Sequence, residues 1–359
     1  MSDLLSPLDF SRGPSMKNRF MLAPLTNCQS EVDGTLSDEE FHWLTMRAKG
    51  GFGLTMTCAA HVQAIGQGFP GQLGIWKDEH IEGLTRLAIE IKAHDSVAIA
   101  QIHHAGMRSP QDVIGTTPVC PSDNEKSGAR GLSLKETKQL RDDFIEAAVR
   151  AEKAGFDGVE IHGAHGYILC QYFSASINQR TDEYGGDVGG RYRILFEIIG
   201  GIRERCNSDF NISVRLSPER FGMRLCEVLE IAQRLMTEDK IEFLDMSLWD
   251  VFKEPEEEEY KEKTLLEHFA GLERGNVRLG VAGNIRTPKQ AEDALAAGVD
   301  WIMLGRAAML DHNFPLLYTE DSEFAPTPTP ATKEHLATEG LSPKFIEYFS
   351  GNWPEYVVQ

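Results

Sequence analysis

Two rhythms of apolar residues alternate along the chain. Short β-branched or apolar runs, each ending in polar or glycine residues, occupy Arg19–Thr26, Gly53–Ala60, Val97–His103, Gly158–His162, Asn211–Leu216, Ile241–Ser247, Val277–Ala282 and Trp301–Leu304. Runs of that length and composition predict strands. Between them the spacing lengthens to that of helices over Asp38–Lys49, Glu79–Ala93, Leu134–Lys153, Gly190–Arg205, Cys226–Glu238, Thr264–Leu272 and Pro288–Ala297. Ser133 stands three residues before Glu136, a capping-box pattern, and Pro288 follows Thr287, where a first-turn proline belongs.

Strand and helix alternating eight times predict parallel βα units, whose right-handed crossovers close them into a barrel or wind them into an open sheet. The count favours an α/β fold of the (β/α)8 TIM-barrel type with a C-terminal tail. An open Rossmann-like sheet is the alternative, but no G-x-G-x-x-G follows an early strand. In a barrel the C-terminal strand ends form the active face. The polar residues Thr26, Gln101, His103, His162, Arg215, Asn284 and Arg306 stand at those ends, and the two longest connections, Met107–Gly131 and Gly166–Gly189, fall on the same rim. The barrel is expected to span residues 1–320, with residues 321–359 as a tail. There Phe324-Ala-Pro-Thr-Pro-Thr-Pro-Ala331 reads as a stiff extended linker. The aromatics Phe345, Tyr348, Phe349, Trp353 and Tyr356 that follow need a surface to cover, either their own barrel or a neighbouring subunit, so a homo-oligomer is expected.

With 359 residues, 41% of them hydrophobic, the chain can bury a large core. Its net charge of −19 argues against nucleic acid or an anionic membrane as partner, so any bound phosphate must be held by local groups. Six cysteines lie scattered with no C-x-x-C spacing, which fits free thiols in a reducing compartment and excludes a sequence-local iron–sulfur or zinc knuckle. There is no apolar run of membrane-spanning length and no basic-then-apolar leader, so a cytoplasmic location is expected. The charge run Glu254–Lys263 reads as a solvated loop.

The fourth strand carries the chemistry. In Gly158-Val-Glu-Ile-His162 the period of two puts Glu160 and His162 on one face, and His165 and Tyr167 follow on the turn. These polar rings can be satisfied structural side chains. They can be part of a zinc site, although no third ligand of the right kind is near, and no metal is expected. Or they can be a carbonyl-binding pair with a proton donor, since neutral histidines donate N–H and a tyrosine stays protonated at neutral pH. Glu160 is expected to form an ion pair with Arg215 on the next strand. Gly283-Asn284 ends the seventh strand and Gly305-Arg306 the eighth, where barrels commonly bind phosphate.

Gly155-Phe-Asp-Gly-Val-Glu-Ile-His-Gly-Ala-His-Gly-Tyr167, followed by Asn178-Gln-Arg-Thr-Asp-Glu-Tyr-Gly-Gly186 and then Arg191 and Arg193, resembles the signature of the old yellow enzyme family. The likeness runs from about Asn18 to Pro315. It implies an FMN-dependent oxidoreductase that takes hydride from NADPH or NADH. That hydride would go to the activated C=C bond of an α,β-unsaturated carbonyl or nitro compound. It also implies roles by position. Pro24 and Thr26 lie beside the flavin, Thr26 at its C4 carbonyl. Ala59 allows close backbone approach, Gln101 reads the pyrimidine edge, and Arg215 stands beside N1 and O2. Gly283, Asn284, Gly305 and Arg306 hold the phosphate. His162 and His165 bind the substrate oxygen, and Tyr167 protonates carbon. The sequence departs from the family pattern at Cys58, where an acid is common, at Ala175, where a proline is usual, and at Gly190, where asparagine is common. Two other classes stay open: a flavin-free barrel lyase or isomerase acting on a phosphorylated substrate, and a flavin-binding redox sensor.

Overall fold

The computed structural model describes residues 3–358. Eight parallel strands close on themselves: β1 (Phe20–Leu22), β2 (Leu54–Met56), β3 (Val97–His103), β4 (Gly158–Gly163), β5 (Asn211–Leu216), β6 (Phe243–Ser247), β7 (Arg278–Ala282) and β8 (Trp301–Leu304). Each pairs with the next in sequence, and β8 returns to β1 through Phe20↔Ile302. That closure excludes the open sheet. Around the strands lie α1 (Asp38–Lys49), α2 (Ile81–Lys92), α3 (Leu134–Lys153), α4 (Val188–Arg205), α5 (Leu225–Thr237), α6 (Leu265–Ala270), α7 (Pro288–Ala296) and α8 (Phe314–Glu320). The capping box at Ser133 and the first-turn proline at Pro288 form as the sequence predicts, and Thr287 with Gln290 adds a second capping box. Among the described residues no helix is long and apolar enough to cross a membrane.

Two strands are shorter than their apolar runs suggest. β1 stops at Leu22 because the chain leaves the sheet at Pro24, which has no N–H to offer the ladder. The second run splits, with β2 ending at Met56 and Ala60–His61 rejoining β3 after a break.

The barrel interior is filled from below. Met21, Leu54, Met56, Val97, Ile99, Phe243, Trp301 and Met303 form one buried cluster. A bridge between Leu8 and Met16 folds the N-terminal segment under the barrel, and Phe10 meets Phe243 and Trp301 at ring separations of 5.5 and 6.0 Å. A Cβ on Gly280 would lie 2.3 Å from Trp301 Cε2, so β7 must be bare where the indole crosses it.

The tail contains α9 (Lys333–Thr338) and α10 (Pro343–Asn352). Phe345 packs on Trp43 of α1 at 5.3 Å, the Ser342 amide donates to Gln29 Oε1, and Ala331 bridges to Val357. The acidic run is not merely solvated: Glu257 Oε1 accepts a hydrogen bond from the Leu225 amide at the start of α5.

Candidate active site

His162, next to last in β4, is buried inside the barrel. The turn that follows holds His165 at φ +61°, a left-handed conformation that costs a non-glycine residue about 1–2 kcal/mol. Two contacts fix it: the His165 amide donates to Ser217 Oγ at 3.0 Å, and Arg108 donates to the His165 carbonyl. The imidazoles meet edge to face, with His162 Nε2 at 3.2 Å from His165 Nδ1.

Their protonation follows from their partners. The Ala164 amide donates to His162 Nδ1, so the neutral ring of His162 carries its proton on Nε2 and gives it to His165 Nδ1. His165 then holds its proton on Nε2, 2.8 Å from Ser247 Oγ, which also accepts from Arg215 Nη2. Both rings stay neutral, because burial, with Arg215 and Arg108 nearby, drives their pKa values well below the usual histidine range. Tyr167 is half-buried, with the His103 ring 4.4 Å from its own and the Arg108 guanidinium 4.6 Å over its face. His103 is fully buried and neither of its ring nitrogens has a partner.

The expected ion pair between Glu160 and Arg215 is not formed. Register explains this: His162 stands opposite Arg215 and Arg215 opposite Asp245, whereas Glu160 stands opposite Ser213. Arg215 Nε therefore pairs with Asp245 Oδ2 at 3.3 Å, and Glu160 accepts from Gln101 Nε2 at 2.7 Å. Cys58, at the position where the family pattern has an acid, is not an apolar filler. Its thiol donates to the buried carboxylate of Glu40 on α1, which also accepts from Asn27 and Ser30.

A cleft of about 250 Å³ opens beside the histidines. Pro24, His165, Arg215, Gly283, Asn284, Gly305 and Arg306 all line it. His162 and Tyr167 meet His165, whereas Gln101 does not line the cleft and donates to the buried Glu160. Thr26 lies near the Tyr348 hydroxyl of the tail. Ala59 does not line the cleft; its carbonyl accepts from Gln72. Sequence reasoning missed Ser247, Asp245, Arg286 and Trp353. Ser247 was findable as the polar end of β6 and Arg286 as a cation two residues past Asn284. Only tertiary packing brings Trp353 to the cleft wall.

At the far end Arg286 Nε and Arg306 Nη2 both donate to Asn284 Oδ1, at 2.8 and 3.4 Å, and both guanidiniums lie on the Tyr356 ring. Neither has a carboxylate partner among the described residues. Two like charges sharing one amide oxygen and an aromatic face fit a phosphate monoester. With Arg215 and Gln101 at the other end, the donor set suits FMN. Arg286→Ala and Arg306→Ala are each expected to weaken FMN binding to the apoprotein roughly 10–100-fold, from ~1.5–3 kcal/mol per charged hydrogen bond. Riboflavin, which lacks the phosphate, should bind both variants as it binds the wild type; fluorescence-quenching titrations measure both.

A closed parallel barrel with paired guanidiniums after β7 and β8 and a histidine pair at the end of β4 fits a flavin-dependent oxidoreductase. The sequence profile of the NADH:flavin oxidoreductase / NADH oxidase family matches residues 3–321. The chain is 34% identical over 336 residues to the probable NADH-dependent flavin oxidoreductase YqiG of Bacillus subtilis, covering 89% of this chain and 88% of that one. It is 33% identical over 326 residues to an NADPH dehydrogenase of Bacillus pumilus, covering 86% and 92%. The solved old yellow enzyme homologue from Zymomonas mobilis superposes with a TM-score of 0.81 at 28% identity, over 96% of this chain and 98% of that one. The chain belongs to the old yellow enzyme family and is an FMN- and NAD(P)H-dependent flavin oxidoreductase.

Proposed function

We propose that this oxidoreductase reduces the activated C=C bond of α,β-unsaturated carbonyl or nitro compounds, with His162 and His165 holding the substrate oxygen and Tyr167 protonating carbon. The observation that carries the reading is the pair of neutral imidazoles in contact at 3.2 Å, each with its proton on Nε2, of which His165 lines the cleft. Bound FMN supplies the two-electron carrier between NADPH or NADH and the alkene. The residues named for FMN do the holding: Arg286, Arg306 and the Gly283–Asn284 and Gly305 backbone at the phosphate, and Gln101, Thr26 and Arg215 at the ring system.

Without substrate the two N–H groups are spent within the protein, on His165 Nδ1 and Ser247 Oγ. A substrate oxygen competes for both. Its advantage grows as negative charge develops on it, because a charged acceptor strengthens both bonds where a neutral one does not. Arg108 and His103 hold the Tyr167 ring from different directions, so its hydroxyl has a fixed place from which to deliver a proton. The proposed setting is the cytoplasm, supported by six free cysteines, with the chain as a homo-oligomer.

Anaerobic stopped-flow tests this reading. The flavin should bleach with NADPH or NADH and recover its colour on mixing with a cyclic enone or a nitroalkene. Tyr167→Phe is expected to slow the recovery roughly 10²-fold, the lower end for general acid catalysis because the half-open cleft admits water. It should leave the bleaching rate unchanged. A colourless preparation would favour the phosphorylated-substrate lyase, and flavin that ignores every alkene would favour the sensor.

A further inference from the structure

Beneath the histidines lie two carboxyl groups that the reading above leaves without a role. Glu160 on β4 and Asp245 on β6 are both fully buried and stand within hydrogen-bond reach of each other. Gln101 satisfies one oxygen of Glu160, but Glu160 Oε2 and both oxygens of Asp245 accept no hydrogen bond. Arg215 Nε lies 3.3 Å from Asp245 Oδ2 without the alignment of a hydrogen bond. Beyond Arg215 and Ser247 come His165 and then His162, from the end of β4. From β1, β2, β7 and β8 come Met21, Met56, Ala282 and Met303.

One cation therefore faces two carboxyls in a medium that penalises charge. Two carboxylates in contact under those conditions do not both ionise, and a shared proton also supplies the missing donor. Arg215, Asp245 and a protonated Glu160 then sum to zero. On the proposed placement of the flavin, Arg215 is the group nearest its N1 and O2, so in the oxidised enzyme its charge is already matched by Asp245.

We propose that Glu160 and Asp245 form a carboxyl dyad that holds one proton while the cofactor is oxidised and binds a second when the cofactor is reduced. The balance is simple. NAD(P)H gives up a hydride, two electrons with one proton, and leaves as NAD(P)⁺. The cofactor gains one negative charge. One proton from solvent adds to the Asp245 carboxylate, which frees the Arg215 guanidinium to face the new charge. When the hydride passes to the alkene, that proton returns to solvent. Burial raises both groups, Asp245 to about 6, and a negative charge added nearby raises them further. Both residues act through Arg215 and are positioning residues.

Two measurements test this. Hydride transfer alone takes no proton from solution, so a pH-indicator dye in weakly buffered, anaerobic holoenzyme at pH 7.5 should report uptake of about one proton per FMN reduced by stoichiometric NADPH or NADH. In Glu160→Gln and Asp245→Asn the uptake should fall close to zero. Absence of uptake in the wild type, or equal uptake in the variants, overturns the proposal. The second measurement needs no cofactor. Infrared spectra of the apoprotein should show a buried carboxylic-acid C=O band at pH 7.5 that shifts in D₂O and is missing from Glu160→Gln. If that band is absent from the wild type, the dyad does not hold its proton and the proposal fails. If the band is present but no flavin binds, it is the placement of the flavin that fails.

Discussion

Replacing His162 and His165 together by alanine is expected to slow flavin reoxidation by a cyclic enone roughly 10²–10⁴-fold, from ~1.5–3 kcal/mol for each donor to a developing charge. Reduction by NAD(P)H should survive. The loss from the two single variants should not add up to that of the double. Each ring fixes the other's proton through the 3.2 Å contact, so removing one unsettles both. Because burial keeps both imidazoles neutral, lowering the pH from 8 to 6 should not weaken the histidine contribution; protonation is resisted until well below the ordinary range. His162→Asn, which keeps one N–H donor, should recover part of the rate. Near-wild-type reoxidation in the double variant would sink the oxygen-binding role.

Glu242→Ala is expected to be the most damaging single change to stability. Its carboxylate is wholly buried at the entrance to β6, pairing with Arg12 at 2.6 Å and Arg203 at 2.5 Å, and it accepts from the Ile212 amide. Truncation leaves two guanidiniums facing each other without an anion, a loss of about 3–5 kcal/mol. At ~2–4 °C per kcal/mol that corresponds to a fall in Tm on the order of 10 °C, read by calorimetry or circular dichroism. Glu242→Gln should fall in between, since the amide oxygen can still accept from Ile212. These groups sit at the barrel end opposite the cleft, so the variant should keep its reoxidation rate while folded.

The barrel was legible because each strand run ends in polar or glycine residues and eight of them alternate with helices. The site was legible wherever one residue's place on a strand decides its direction. The period of two put His162 inside the barrel, and the ends of the seventh and eighth strands put Asn284 and Arg306 at one cup. Pairing was not legible. Alternation says that Glu160 and Arg215 both face inward, but only register says that Arg215 stands opposite Asp245 and Glu160 opposite Ser213. Contacts that cross long stretches of chain are hidden for the same reason. Nothing local to Trp353 or Tyr356 points to a cleft some 50 residues earlier in sequence, and nothing local to Glu40 announces the thiol of Cys58.

The N-terminal segment that floors the barrel has a consequence for synthesis. Phe10 and Met21 emerge from the ribosome early, yet the surfaces they cover, Trp301 and the rest of β8, are made about 280 residues later. Until then the half-built sheet has two open edges and an unfilled centre, a species that sticks to its own kind. The last strand is thus the latch for the first, and translation must pass residue 304 before the ring can shut.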